Sequence, residues 1–160
     1  MPNVIVRPSR IGNGLFTARA FAAGETITQI RGRIVHYSVL WKRGGTFLDN
    51  CIRFGPETYL DPGDDPGRYV NHSCAPNAGI RKDRNRLLLF AATRIAAGRE
   101  ITFDYSTTIG DDDVWTMRCR CGRRACRQRI KRFGALPEAL QARYHARGLV
   151  PRYITETLTR

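Results

Sequence analysis

Long apolar stretches are missing from this sequence. No run approaches the roughly 20 residues that a membrane-spanning helix needs, and residues 1–7, MPNVIVR, lack the basic, apolar and small-residue pattern of a secretory signal. We therefore expect an intracellular protein that does not act in a membrane. Export by a route that needs no such signal is the alternative. With 160 residues, 42% of them hydrophobic, the chain is long and apolar enough to fold as one globular domain.

Acidic residues and lysines are also scarce. The chain has 14 Asp and Glu against 27 Lys and Arg, which gives a formal net charge of +13, and only 3 of the basic residues are lysines. This excess favours anionic partners, such as nucleic acid or acidic protein surfaces. The preference for arginine is also typical of a GC-rich genome, so it adds little to the argument about partners.

Cysteine is present in an odd number, and its spacing is informative. Of five cysteines, Cys119, Cys121 and Cys126 fall within eight residues. In an intracellular protein this favours a metal site over a disulfide framework. Structural zinc takes four sulfur or imidazole ligands, so one must come from elsewhere. The candidates are Cys74, Cys51, His36, His72 and His145. A redox-active thiol pair is the alternative.

Arginines surround this cysteine segment, at positions 118, 120, 123, 124, 127 and 129. They have two interpretations. Four thiolates and one Zn²⁺ carry a net negative charge, which the arginines would offset. The same cluster would also serve as a nucleic-acid surface.

Polar side chains are concentrated in residues 68–77, RYVNHSCAPN. Pro76 has no amide hydrogen and Ala75 before it favours an extended backbone, so a helix is not expected to run through this stretch. The sequence therefore predicts a loop that presents these groups together, which is typical of a functional site. An Asn-rich turn capped by its own side chains is the alternative.

Two similar segments lie on either side of this loop. Residues 21–28, FAAGETIT, and residues 95–102, IAAGREIT, both read apolar-Ala-Ala-Gly-x-x-Ile-Thr. Each predicts a glycine-containing turn followed by a β-branched strand. The pair indicates a small β-rich domain whose two halves pack together.

The remaining patterns give a coarse map. They predict strands at residues 3–7, 27–39, 86–92 and a strand ending at Tyr59–Asp61, with an irregular segment over 41–58 that has short strands near 47–54. Cys51 is interpreted as a buried small hydrophobic residue, and residues 106–113 as a flexible acidic connection. A helix is predicted over 137–148, with Leu136, Leu140 and Tyr144 on one face, followed by a short turn over 153–158.

Four segments taken together resemble the SET-domain family of protein lysine methyltransferases. Residues 11–16, IGNGLF, look like the opening glycine loop of the family, and residues 68–77 look like its R-x-x-N-H-S-C-x-P-N motif. Residues 98–105, GREITFDY, look like its G-E-E-(L/I)-T-x-D-Y strand, and residues 119–126, CRCGRRAC, look like its post-SET C-x-C-x4-C segment. The resemblance covers roughly residues 3–127, in the order of the family. With no cysteine-rich segment before it and a short middle insert, the chain looks like a compact member of the bacterial and viral type.

The resemblance implies a mainly β fold of small sheets with a C-terminal pseudoknot, a zinc-bound post-SET segment and a short C-terminal helix. We expect a SET domain over residues 1–115, a post-SET zinc segment over 116–132 and a helical extension over 133–160. The implied methyl donor is S-adenosyl-L-methionine, and the implied metal is a structural Zn²⁺.

The family also implies roles for particular residues. Tyr105 is the implied catalytic tyrosine, Phe103 and Tyr59 are assigned to the substrate channel, and Cys74 becomes the fourth metal ligand beside Cys119, Cys121 and Cys126. The implied cofactor-binding residues are Asn13, Gly14, Leu15, Arg68, Asn71, His72 and Tyr105. Phenylalanine at 103 leaves room in the channel and predicts di- or trimethylation.

Two departures from the family pattern affect the substrate channel. Ile30 stands where many members have a channel tyrosine, for which Tyr59 or Trp41 is a candidate replacement. The aromatic residue that commonly follows the last post-SET cysteine is missing, and Phe133 is the nearest aromatic residue.

The resemblance predicts methyl transfer to a lysine amine in a protein, histone or otherwise basic, and acidic residues such as Asp111–Asp113 would attract such a substrate. The alternative is a catalytically weak SET-like module that binds nucleic acid or a nucleoid protein through its basic surface. The helical tail is a candidate homodimer face. The expected location is the cytoplasm for a bacterial protein, or the nucleus for a eukaryotic, viral or effector protein.

Overall fold

The computed structural model describes residues 3–156, and its regular structure consists of short strands with few helices. The strands are β1 (Val4–Ser9), β2 (Gly12–Thr17), β3 (Thr26–Ile30), β4 (Arg33–His36), β5 (Ile52–Arg53), β6 (Thr58–Asp61), β7 (Asn71–His72), β8 (Ala78–Asp83), β9 (Arg86–Ala91), β10 (Thr102–Phe103), β11 (Met117–Arg118) and β12 (Arg129–Ile130). The helices are α1 (Tyr37–Arg43), α2 (Gly45–Asn50), α3 (Glu138–Ala146) and α4 (Arg152–Thr155), with 3₁₀ turns at Pro66–Tyr69, Tyr105–Thr108 and Phe133–Ala135.

The strands form several small sheets instead of one large one. β1 and β2 make an antiparallel hairpin, β3-β9-β8 and β4-β6-β5 are antiparallel three-stranded sheets, and β11 pairs with β12. β7 and β10 are parallel, with Thr102 opposite Asn71 and Phe103 opposite His72. The predicted mainly β fold of small sheets is confirmed. The parallel pair brings together the two segments that the expected pseudoknot requires, while the threading itself stays a prediction.

The two similar turn-and-strand segments contact each other directly. Phe21 and Ile95 exchange backbone hydrogen bonds of 2.9 and 3.0 Å. Gly24 and Gly98 both have a positive φ, 83° and 71°, a conformation that glycine adopts without steric cost. The expected packing of the two halves is confirmed. Their apolar residues join one core with those of β8 and β9, including the fully buried Ile27, Ile80, Leu87, Leu89 and Ile101.

A second apolar cluster holds the C-terminal helices against β9. Phe90 packs there with Phe133, Leu136, Tyr144, Leu149, Tyr153 and Ile154. The helix predicted over 137–148 is present as α3, and the expected face is buried, since Tyr144 is 1% exposed and Leu136 6%. The predicted second turn corresponds to α4, although part of its range lies outside the described residues. The predicted domain boundaries stay predictions.

Two local predictions are wrong. Residues 41–50 are mostly helical instead of irregular, since α1 begins at the His36 cap and is anchored by the buried Leu40, and α2 follows it. The short strand expected near residues 47–54 is present as β5. Residues 105–108 form a buried 3₁₀ turn instead of a flexible connection, because the Asp104 carboxylate caps it by accepting from Ser106 N. No helix within residues 3–156 combines the length and apolar character needed to cross a membrane.

Candidate active site and metal centre

Hydrogen bonds join the polar loop, residues 68–77, to the segment that leads into Tyr105. They extend the contact made by the parallel strands β7 and β10. Ser73 N donates to Phe103 O at 3.0 Å. Asn77 uses both ends of its amide, since its Oδ1 accepts from Thr102 N at 2.9 Å and its Nδ2 donates to Glu100 O at 2.8 Å. The asparagine-rich loop and a strand far from it in sequence therefore form one hydrogen-bonded ridge.

An aromatic cleft opens on one side of this ridge. We define it by the aromatic residues that line it, which are Tyr59, Phe103, Tyr105 and Trp115. It encloses about 650 Å³ including the open solvent at its mouth, a size typical of sites for small molecules or side chains. Phe103 and Tyr59 line it, as the resemblance implied. Trp115 was missed, since nothing in its sequence surroundings distinguishes it from a surface residue.

Tyr105 is held from several directions. Its hydroxyl donates to Val70 O at 2.7 Å, and its backbone N–H donates to His72 Nδ1 at 3.1 Å. The ring lies against Phe103, 4.8 Å between centroids, and edge-on to His72 at 5.3 Å. Burial, with a smaller effect of Glu100, raises the pKa of the Tyr105 phenol well above its usual value. Tyr105 is therefore neutral and fixed in direction.

Carboxylates lie at the rim of the aromatic cleft. Asp113 accepts from Tyr59 OH at 2.8 Å, and Asp49 accepts from Trp115 Nε1 at 2.8 Å. Burial and the Asp113 carboxylate raise the pKa of Tyr59, so this tyrosine also stays a neutral donor. Within the described residues neither carboxylate forms an ion pair. Two carboxylates without an ion-pair partner in the described part of the chain therefore lie at the edge of the aromatic cleft, which Arg68 also lines.

A polar cleft lies on the other side of the ridge. We define it by its polar lining residues Arg10, Asn71, His72, Ser73, Glu100, Thr102 and Arg123, and it encloses about 640 Å³ including open solvent. Alternation along β10 explains the division, because Thr102 faces this cleft and the next residue, Phe103, faces the aromatic one. The Thr102 hydroxyl is buried and has no hydrogen-bond partner among the described residues.

The glycine loop is packed tightly against this polar cleft. Asn71 Nδ2 lies within hydrogen-bond distance of Asn13 O at 3.0 Å, Glu100 Oε1 at 2.9 Å and Ser9 Oγ at 3.2 Å. A Cβ on Gly14 would lie 2.6 Å from Glu100 Oε1 and 2.9 Å from Ser9 Cβ, so a larger residue would displace these neighbours. The close packing explains why the motif has glycine at this position.

The implied cofactor residues are divided between the two clefts. Asn71 and His72 line the polar cleft, with Asn13 and Gly14 joined to it through Asn71. Arg68 and Tyr105 line the aromatic cleft instead. Leu15 is completely buried in the core, with 0% of its surface exposed.

The polar cleft fits S-adenosylmethionine chemically. The Thr102 hydroxyl, which has no partner within the described range, can bond to a hydroxyl of the cofactor, and the Glu100 carboxylate can accept from its ammonium group. The guanidinium groups of Arg10 and Arg123 can pair with its carboxylate. The residue roles stay predictions.

The cysteines of the post-SET segment meet Cys74 in one cluster. Cys74 Sγ and Cys119 Sγ are 3.7 Å apart, whereas a disulfide is about 2.05 Å long. Two sulfurs bound to one tetrahedral zinc at about 2.3 Å are about 3.8 Å apart, so the spacing is that of shared ligands. Backbone N–H groups of Arg127 and Cys121 point at these sulfurs, at 3.4 and 3.5 Å. This cluster can hold a structural metal ion.

His72 and Cys126 compete for the remaining metal position. The metal-binding atoms of His72, Cys74, Cys119 and Cys121 all lie within 4.8 Å of one another, and Cys126 packs against the same cluster. Burial lowers the pKa of His72 to about 4, so its ring is neutral, and its Nδ1 accepts from Tyr105 N. The proton is then on Nε2, which can donate to Cys74 Sγ at 3.4 Å but cannot bind a metal. The distances alone place His72 beside the three cysteines, whereas the hydrogen bonding of His72 favours Cys126 as the fourth ligand. The ligand set stays a prediction.

The other candidate ligands lie elsewhere. His36 caps α1, and His145 packs edge-on against Phe133. Cys51 packs against the apolar cluster around Leu40 and Tyr59, but it is half-buried and also lines the aromatic cleft. Its interpretation as a buried small hydrophobic residue is therefore only partly right. Burial, reinforced by Asp61, raises the pKa of its thiol to about 12.

Comparison with known proteins agrees with this geometry. The SET domain family model matches residues 12–106, more than half of the chain. The chain belongs to the SET-domain family. Human histone-lysine N-methyltransferase 2B is 31% identical over 137 residues, which cover 78% of this chain but 5% of that protein. The chain therefore spans a small part of the curated relatives that it matches.

Solved structures show the same fold for this SET domain. Arabidopsis thaliana SUVH6, crystallised with S-adenosylmethionine, matches with a TM-score of 0.66 and 20% identity, over 80% of this chain and 33% of that one. KRYPTONITE, crystallised with DNA, an H3(1–15) peptide and S-adenosylhomocysteine, matches with a TM-score of 0.62 and 24% identity, over 82% and 30%.

The structure shows where this SET domain places the residues at its two departures from the family pattern, Ile30 in place of a channel tyrosine and the missing aromatic residue after Cys126. Ile30 is 1% exposed and belongs to the main core instead of the aromatic cleft. Trp41, a candidate replacement, is 59% exposed and stacks on Tyr37, so it does not compensate. Tyr59 lines the cleft together with Trp115, whose ring lies 6.3 Å from that of Tyr105. Phe133 is buried in the second apolar cluster and lines neither cleft.

Proposed function

We propose that this chain transfers a methyl group to the side-chain amine of a lysine in a protein substrate. The observation that carries the proposal is the position of the Tyr105 hydroxyl, bonded to Val70 O on the ridge between an aromatic cleft and a polar cleft. The polar cleft would hold S-adenosyl-L-methionine, which supplies an electrophilic methyl group when bound. The aromatic cleft would admit the lysine.

Tyr105 would orient the amine instead of removing its proton. Its only hydrogen is donated to Val70 O, so the lone pairs of the phenol oxygen are left to accept a hydrogen bond from an incoming amine. The raised pKa keeps the phenol neutral, which excludes a phenolate base near pH 7. Its contribution is then alignment, which requires reacting atoms roughly 3–3.5 Å apart.

Deprotonation of the lysine would follow from its surroundings. A free lysine has a pKa of about 10.4 and is mostly charged at pH 7. The Asp113 and Asp49 carboxylates at the rim attract it in this charged form. Deeper in the cleft, the rings of Phe103, Tyr105 and Tyr59 exclude water and disfavour the charge, which lowers the pKa of the amine.

A basic protein is the substrate that the rim favours. Asp112 and Asp111 continue the acidic surface beside Asp113, although each is paired, with Arg53 and Arg132. The human relative is named for histone lysine, and KRYPTONITE was crystallised with an H3 peptide. We therefore propose a histone-like or otherwise basic substrate.

The test is methyl transfer by the wild-type protein and Tyr105→Phe. Purified protein is incubated with methyl-labelled S-adenosylmethionine and a panel of histones, ribosomal proteins, DNA and lysate proteins. We expect label in a protein band and at least a tenfold lower rate for the variant, since the phenol oxygen is lost while the ring packing remains. Equal rates for a folded Tyr105→Phe would contradict the assignment of Tyr105, and label on DNA alone would contradict a protein substrate.

A second candidate function is nucleic-acid binding without efficient catalysis. The net charge of +13 and the exposed arginines of the post-SET segment favour it. Failure to bind the methyl donor, together with tight DNA binding, would support this function over methyl transfer.

A further inference from the structure

A buried carboxylate connects the C-terminal helix to the candidate active site. Asp104 comes immediately before Tyr105 and is 1% exposed. Its Oδ2 accepts from Tyr144 OH at 2.8 Å, and its Oδ1 accepts from Ser106 N at 3.1 Å. Arg127 Nη2 lies 2.7 Å from each of the two carboxylate oxygens. The donors come from α3, the post-SET segment and the turn that contains Tyr105. One side chain therefore joins three parts of the chain.

This carboxylate sets the position of Tyr105. By capping the turn Tyr105–Thr108 through Ser106 N, it determines where the backbone of Tyr105 lies. The neighbouring His72 Nδ1, 3.5 Å from Asp104 Oδ1, accepts the N–H of Tyr105. The direction of the Tyr105 ring follows from these two constraints, and with it the direction of the hydroxyl.

Tyr144 supplies a donor that the aromatic ring alone does not. The ring is 1% exposed and packs in the second apolar cluster, which phenylalanine would fill equally well. The hydroxyl is different, since it bonds outside that cluster to Asp104. Without it, Arg127 Nη2, which already lies 2.7 Å from both oxygens, is the remaining partner of Oδ2. We expect the carboxylate then to be held less firmly and its bond to Ser106 N to weaken.

We propose that Tyr144 is a positioning residue for methyl transfer, which acts through Asp104 on the direction of the Tyr105 hydroxyl. The inference rests on the proposed function of Tyr105. It makes α3, which lies beyond the matched SET segment, a part of the active-site frame.

The experiment compares Tyr144→Phe with Tyr153→Phe. Tyr153 is a matched control because it is a buried tyrosine of the same cluster, 7% exposed, whose hydroxyl donates to Arg53 O at 2.6 Å instead of to Asp104. We expect Tyr144→Phe to lower kcat at least tenfold with KM for both substrates within twofold, and Tyr153→Phe to lower kcat less than threefold. An equal loss in both variants would overturn the proposal.

A second measurement does not depend on activity. NMR of protein labelled with ¹³C at the tyrosine Cε carbons reports on six rings, which single Tyr→Phe variants assign. We expect the Tyr105 signal to shift or broaden in Tyr144→Phe and to stay in place in Tyr153→Phe. An unmoved Tyr105 signal in a folded Tyr144→Phe would overturn the positioning role.

A third variant keeps the test decisive if Tyr144→Phe does not fold. Replacing Tyr144 with 4-aminophenylalanine retains the ring and an N–H donor at the position of the hydroxyl, so we expect the Tyr105 signal to resemble that of the wild type. A displaced Tyr105 signal in this folded variant would count against the proposal. If the wild type labels no protein in the panel, the proposed function fails, and the NMR comparison alone then decides the role of Tyr144.

Discussion

Tyr105 shows that the environment of a single residue determines what chemistry it can do. A tyrosine is a donor and an acceptor at once, but the bond to Val70 O uses the donor, and burial removes the option of ionisation. What remains is an oriented acceptor. Phe103, whose ring lies 4.8 Å away, sets the space beside it. The space between Tyr105 and Phe103 therefore determines how many methyl groups on the amine the cleft can accommodate.

Phe103→Tyr is expected to reduce the number of methyl groups added. The wild type should give di- or trimethyl-lysine, because phenylalanine leaves the cleft without a further hydroxyl or the water it would hold. The variant adds a polar group to a position that is 3% exposed, so the space for a methylated amine shrinks. Mass spectrometry of the product over time gives the answer. Only monomethyl-lysine from the wild type after long incubation would contradict the prediction.

At the scale of elements, the post-SET segment has little regular structure of its own. β11 and β12 are two residues each, and Cys119, Cys121 and Cys126 lie between them. Elements this short bury little apolar surface, so a metal ion is the physical means by which such a segment becomes ordered. The same segment carries Arg127 to Asp104, which links the metal centre to the site.

We expect the protein to contain about one equivalent of zinc, bound by thiolates. Cys119→Ser should lower the zinc content to about a tenth or less and the Tm by more than about 5 °C, because the segment loses its ligand and its order. Cys51→Ser is the control, since Cys51 lies outside the thiol cluster, and it should retain its zinc. Elemental analysis and thermal unfolding measure both. Full zinc content in Cys119→Ser would rule out the predicted ligand set.

At the scale of the whole molecule, the net charge and the local charge at the aromatic cleft have opposite signs. A net charge of +13 repels a basic substrate at long range, yet the rim of the aromatic cleft is acidic. The arginines at 118, 120, 123, 124 and 129 are exposed or line the polar cleft, on a segment distinct from that rim. One surface is therefore suited to a basic peptide and another to an anion.

DNA affinity is expected to depend steeply on salt. Neutralising several phosphates releases counterions, so log K should fall linearly with log salt concentration with a slope of about −0.9 for each phosphate contacted. Replacing Arg118 and Arg124 with alanine should reduce that slope by about 2 and weaken all DNA sequences alike. The same change at Arg94 and Arg143, outside the post-SET segment, is the control. Fluorescence anisotropy measures the slopes, and a slope unchanged by the first pair would exclude this surface.

Sequence patterns predicted a strand or helix correctly where that element is determined by residues close together in the chain. The strand at residues 86–92 and the helix at 137–148 follow from apolar periodicity and from proline and glycine at the helix ends, so both were predicted. Helix α1 was missed because its stability comes from the His36 cap and the burial of Leu40, which no periodic pattern records. Helix α2 was missed because it is only six residues long and has no side-chain cap. The turn at residues 105–108 was missed for a similar reason, since Asp104 caps it from within an acidic-looking stretch.

The family, the four motifs in their order and the thiol spacing that indicates a metal could all be identified from residue types and their short-range order along the chain. The fold was needed to see that Thr102 and Phe103 face different clefts, that Trp115 lines one of them, and that Tyr144 reaches Asp104. These contacts join residues far apart in the chain, and their geometry follows from packing, in which each side chain takes the position that its neighbours leave open.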